Sequence, residues 1–150
     1  MSFRPQGDQV GYTEGCRVYN SDALYIPSGS STYLTFDSEV YDTNFMHSII
    51  TNPERITIRT AGIYLITFHC SFTVNADGYR RAYIKRNGFT IGQDRREGSA
   101  ILTTSLLATT IQQLIRGDYL RIHIYQNSGI ELELLKISSW SPYFMAQRIG

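Results

Sequence analysis

From Ala61 to Val74 the chain alternates a run of apolar side chains with a mixed row, and the rest of the sequence is organised around that stretch. Read at a period of two, Tyr64, Ile66, Phe68, Cys70, Phe72 and Val74 share one face, apolar except for the tyrosine hydroxyl. Burying such a row is worth on the order of 10 kcal/mol before conformational entropy is charged against it. The opposite face runs Ile63, Leu65, Thr67, His69, Ser71, Thr73, apolar first and polar later. A strand facing only water has no use for Ile63 and Leu65. That face is therefore expected to be covered too, by the chain itself or by another copy of it.

On either side lie short alternating segments separated by Gly, Asn, Pro and Asp turns. The pattern predicts strands at residues 17–19, 32–36, 47–50 and 55–58 before the long stretch. After it come 79–86, 89–92, 100–107, 111–114, 119–125, 130–135 and 143–149. Residues 38–46 read as irregular, 75–78 as a turn and 93–98 as a charged loop. Asn87-Gly88 is the strongest short hairpin signal. In 79–86, Ala82 and Ile84 are expected to face inward and Arg81, Tyr83 and Lys85 outward. Tyr64, Ile66, Phe68, Phe72, Leu120, Ile122 and Ile124 form the expected core. About ten short strands and no helix predict an all-β sandwich or barrel.

The first fifteen residues have no period. Phe3, Arg4, Val10 and Tyr12 are scattered among Gly, Pro, Ser and Gln. Residues 1–15 are read as an extended arm held by a neighbouring subunit or a partner, with Phe3, Arg4 and Tyr12 as its contacts, and residues 16–150 as one domain. No secretory signal or membrane-length apolar run is seen and no Asn-x-Ser/Thr occurs, so a secreted or membrane protein is not expected.

Fourteen basic against thirteen acidic residues give a net charge of +1, so no overall field draws the protein to nucleic acid or an anionic membrane. Eleven tyrosines suit strands and half-wet contact surfaces. The two cysteines, Cys16 and Cys70, are too few for a disulfide scaffold, and Cys70 falls on the core face.

The order of motifs resembles the C1q/TNF superfamily. Phe36 followed after five residues by Asp42 is similar to the family's Phe-x5-Asn/Asp. Ile56, five residues, then Gly62-Ile63-Tyr64-Leu65-Ile66-Thr67-Phe68 resembles its Phe-x5-Gly-x-Tyr-x-Phe-x-Phe/Tyr, with isoleucine at two phenylalanine positions. Asn87-Gly88 sits at the family's hairpin. Leu114-Ile115-Arg116-Gly117-Asp118-Tyr119-Leu120 resembles its Leu-x-x-Gly-Asp-x-Val run, and Tyr143-Phe144 its closing aromatic strand. The segment from Asp42 to Ile56 is longer than the C1q pattern. Val18-Tyr19-Asn20-Ser21 and the terminal Arg148-Ile149-Gly150 look most like bacteriophage and bacterial members, found in virion proteins. The resemblance implies a jelly-roll sandwich that assembles as a homotrimer. It places Leu65, Thr67 and His69 toward the threefold axis, helped by Tyr143 and Met145.

Chemistry offers little else. None of the common hydrolase, metalloprotease, phosphate-loop or zinc spacings occurs, and neither His69 nor His123 lies with a nucleophile. Asp37, Glu39 and Asp42 lack the register of a calcium loop. No enzyme activity, metal or cofactor is expected. Arg80, Arg81, Lys85, Arg86, Arg95 and Arg96, interleaved with Tyr79 and Tyr83, form a local basic group. Arg81, Lys85, Arg95 and Arg96 are read as a ligand patch or an edge-protecting strand rather than a nucleic-acid site. The expected role is a virion structural protein, a trimeric capsid decoration protein whose arm reaches the major capsid protein or neighbouring subunits. The alternative is a receptor-binding tip that grips a host glycan or protein.

Overall fold

Gly62–Phe72 forms strand β6, and both of its edges are paired. The computed structural model describes residues 11–150. In chain order the strands are β1 (Gly15–Tyr19), β2 (Leu24–Ile26), β3 (Thr32–Tyr33), β4 (Ser38–Asp42), β5 (Ile56–Thr57) and β6. They continue with β7 (Asn75–Arg86), β8 (Phe89–Ser99), β9 (Thr104–Leu114), β10 (Tyr119–Gln126), β11 (Leu132–Leu134) and β12 (Tyr143–Arg148). Every pairing is antiparallel. In the first sheet β9 lies on one edge of β6 along its whole length. On the other edge β12 is followed by β1 and β4, and β11, with β2 beyond it, takes over where β12 ends. In the second sheet β3 and β5 share one edge of β10, and β7 and β8 follow on the other.

The two sheets enclose the core predicted from alternation. Tyr64, Ile66, Phe68, Cys70 and Phe72 from β6 meet Ala82 and Ile84 of β7 and Leu120, Ile122 and Ile124 of β10, all without solvent exposure. Val74 departs from the expected face. The chain leaves β6 at Phe72, the alternation ends with it, and Val74 is exposed.

Five other segments differ from the sequence reading. Residues 93–98 belong to β8 rather than to a loop. That strand closes an edge of its sheet, where charged side chains are tolerated because only one edge is paired and one side packed. The same reason hides β4 within 38–46, since it too is an edge. Residues 104–114 form one unbroken strand, its three threonines supporting extended backbone. Residues 47–50 form no strand; Ser48 turns the chain there by accepting the Ile50 and Thr51 amides. Residues 75–78 do bend, at Gly78 (φ +67°), but as an irregularity at the start of β7, where the register with β8 shifts.

Candidate binding faces

Because β6, β9, β12 and β1 run side by side, the residues that point away from the core align in rows across the sheet. One row is Leu107, His69, Tyr143 and Tyr19. The next is Thr109, Thr67, Met145 and Arg17, and the next Ile111, Leu65 and Gln147. All five residues expected at a trimer interface, Leu65, Thr67, His69, Tyr143 and Met145, therefore fall on one contiguous surface. Leu107 and Ile111 are half exposed on it, at 51% and 59%. Sequence reasoning missed these two, since the partner of β6 was not legible; their alternation with Leu106 and Ala108 was the available signal.

Polar contacts on this face are sparse and internal. Thr67 and Thr109 hydroxyls lie 3.3 Å apart, and the Arg17 guanidinium sits 4.1 Å over the Tyr143 ring. The His69 Nδ1 is 2.9 Å from the Ser141 hydroxyl, and its ring packs beside Trp140 and Tyr143. Burial lowers the pKa of His69.

Phe3 and Arg4 lie outside the described residues. Tyr12 lies beneath the Arg148 guanidinium at 4.6 Å. Its neighbours are tied to the same domain: the Glu14 carboxylate pairs with Arg148 at 3.1 Å, the Glu14 carbonyl accepts the Arg148 amide, and the Thr43 hydroxyl donates to the Thr13 carbonyl.

The outward surface of the second sheet has a different chemistry. Arg81 lies 4.5 Å over Tyr83 and 4.8 Å over Tyr125, and Arg95 lies 3.7 Å over Tyr79. Arg121 lies 3.9 Å over Tyr33, and Arg55 lies 4.2 Å over Tyr119. His123 stacks on Tyr33 at 4.7 Å. Its pKa is lowered, first by burial and then by Lys85, Arg81 and Arg121. Of the predicted basic patch, Arg81, Lys85 and Arg95 share this face. Arg96 pairs in register with Arg80, whose side chain points inward, so it lies on the other side of β8. The sequence pointed to Arg121, Tyr119 and Tyr125 only as outward positions of β10. What it lacked was the pairing that sets them beside β7, β3 and β5.

The remaining candidates are structural. The Asp42 carboxylate accepts the Met46 and His47 amides, each at 2.9 Å, and Asp37 holds the Ser21 amide. They hold turns, and no cluster of three or more metal-ligand side chains exists among the described residues. His47 sits between the Pro53 carbonyl and Glu39. Cys16 and Cys70 are both free and buried.

Two packed antiparallel sheets with this strand order define a jelly-roll sandwich. The fold is that of the C1q/TNF proteins. The chain is similar to murine APRIL, with a TM-score of 0.69 at 14% identity, covering 90% of this chain and 98% of that one. It is also similar to the globular domain of zebrafish complement 1qA, with a TM-score of 0.64 at 17% identity, covering 92% and 98%. Eiger TNF from S. frugiperda gives a TM-score of 0.66 at 10% identity over 93% and 94% of the two chains. No protein-family model matches the sequence, and no curated protein matches it.

Proposed function

We propose that the protein is a non-enzymatic structural component of a bacteriophage virion, a homotrimer that decorates the capsid. The observation that carries the trimer is the outward face of the first sheet, where Ile63, Leu65, Leu107, Ile111 and Met145 stand among threonines, tyrosines, Arg17 and Gln147. Covering an apolar side chain of this size is worth roughly 1.5–3 kcal/mol when burial is complete. Such a surface favours association among copies that present the same rows. The virion role draws on the resemblance of the sequence motifs to phage members. It also draws on the aperiodic residues 1–11, which suit a segment reaching the major capsid protein or a neighbouring trimer.

Light scattering tests the first part: three copies of a 17.1 kDa chain are expected, and a monomer at micromolar concentration overturns it. For the second, residues 1–11 are deleted and binding to empty capsids is measured. Loss of binding supports decoration. Undiminished binding, or none by the intact protein, argues against it. A second reading, a receptor-binding tip, is favoured by the guanidiniums held over tyrosine rings across the outward face of the second sheet.

A further inference from the structure

We propose that the outward face of the β10–β7–β8 sheet binds an acidic polysaccharide, a glycan chain bearing sulfate or carboxylate groups. This goes beyond capsid decoration. It gives the receptor-binding reading a ligand class, and it does not depend on where the protein sits on a particle.

Charge comes first. Arg55, Arg81, Lys85, Arg95 and Arg121 converge on this face, and among the described residues the carboxylates paired with them are Glu54 beside Arg55 and Glu97 beside Arg95, each at 3.6 Å. Arg81, Lys85 and Arg121 have no carboxylate partner among the described residues. On a chain of net charge +1, this is a local concentration of positive charge rather than a general one.

Preorganisation comes second. Arg55, Arg81, Arg95 and Arg121 lie over tyrosine rings, which fixes side chains that would otherwise lose much rotamer freedom on binding. The Nε–H groups of Arg81 and Arg121 are shielded from water and have no hydrogen-bond partner among the described residues. A guanidinium also grips an oxyanion end-on through its two Nη groups, a geometry that leaves a shielded Nε out of the contact.

Shape selects the kind of anion. Most of this face is an open sheet surface, which suits a chain lying across strands. At its Arg55 end it meets a cavity of about 330 Å³ lined by His47, Ser48, Thr51, Asn52, Arg55 and Arg59, among others. Hydroxyl and amide groups there, with the tyrosine hydroxyls along the face, match the donors and acceptors of sugar rings. Single-stranded nucleic acid fits less well, because its bases need free aromatic faces and the guanidiniums already occupy them.

The test is titration of the intact protein with dextran sulfate, polygalacturonate, neutral dextran, poly-L-glutamate and oligo(dT), at several salt concentrations. Binding to at least one of the first two is expected, weakening as salt rises, and which of them binds tells sulfate from carboxylate. Neutral dextran should not bind. The double variant Arg81→Gln/Arg121→Gln should lose about tenfold or more in affinity, while Arg96→Gln, which removes the same kind of charge from the other side of β8, should stay within about twofold. His123 faces Tyr33, Tyr83, Lys85, Arg81 and Arg121, so an anion bound there makes its protonation easier. Its NMR titration should move upward in the complex and not in the double variant. No binding to either acidic glycan overturns the proposal. So does equal or tighter binding to poly-L-glutamate or oligo(dT), or unchanged affinity in a double variant that keeps the native mass and unfolding temperature. Binding by a protein that proves monomeric removes the trimer and leaves this face standing.

Discussion

Arg80 lies across Gly98: a β-carbon built on that glycine would stand 2.7 Å from the arginine Nη2. The guanidinium is fully buried and donates to the Asn75 carbonyl at 2.7 Å and the Asp77 carbonyl at 2.6 Å. It thereby holds the irregular start of β7, where Gly78 turns the chain. Gly98→Ala must push the arginine or the strand aside and is expected to cost about 1–3 kcal/mol. Arg80→Ala leaves both carbonyls unmet and a cavity beside Phe72, an expected loss of about 2–4 kcal/mol. Urea unfolding curves of the two variants check both values.

Leu65 and Ile111 face each other across β6 and β9 on the surface assigned to self-association. Leu65→Arg or Ile111→Arg is expected to leave a folded monomer, read as a fall in mass by light scattering with the far-UV spectrum retained. Phe68→Ala, one residue row deeper and fully buried, should instead lower stability by about 3–5 kcal/mol. If the two arginine variants keep the native mass, association uses another surface.

Two histidines set the expected response to acid. His69 and His123 both have pKa values lowered in the folded state, first by burial. The unfolded chain therefore takes up protons before the folded one does. Stability should be flat above the ordinary histidine range and fall as pH drops through it, levelling off once the folded histidines also protonate. His69→Gln and His123→Gln should each make the fall shallower in thermal unfolding measured between pH 7.5 and 5. An unchanged slope in both variants places the titrating groups elsewhere.

Both thiols should be silent in the native protein. Burial pushes Cys16 and Cys70 upward in pKa, and Asp42 and Glu39 add to the effect at Cys16. A thiol that is shielded from water and reluctant to ionise reacts slowly. Labelling by a thiol reagent at pH 8 should give no modification in buffer and two modified residues in denaturant. Prompt labelling of the native state contradicts the burial of whichever cysteine reacts.

Alternation revealed β6, β10 and the core because each position there is decided by burial on one side. It failed at β4 and at the second part of β8, which lie at sheet edges and carry charges whether or not they are extended. Leu65, Thr67 and His69 could be placed on one face from their spacing alone. Leu107 and Ile111 could not, because strand pairing is a long-range property that no local period encodes. Arg80 was grouped with its charged neighbours, since nothing in its spelling separates a buried guanidinium from an exposed one. Gln126 is similar: it is fully buried, and its amide donates to the Ile26 and Ile130 carbonyls.

Strand β12 lies between β1 and β6, although it is made after every other strand described here. During synthesis Arg17 and Leu65 therefore belong to separate pieces of chain until residues 143–148 have appeared. Until then the β6–β9 pair presents Leu65, Leu107 and Ile111 without the Tyr143 and Met145 rows that complete the face.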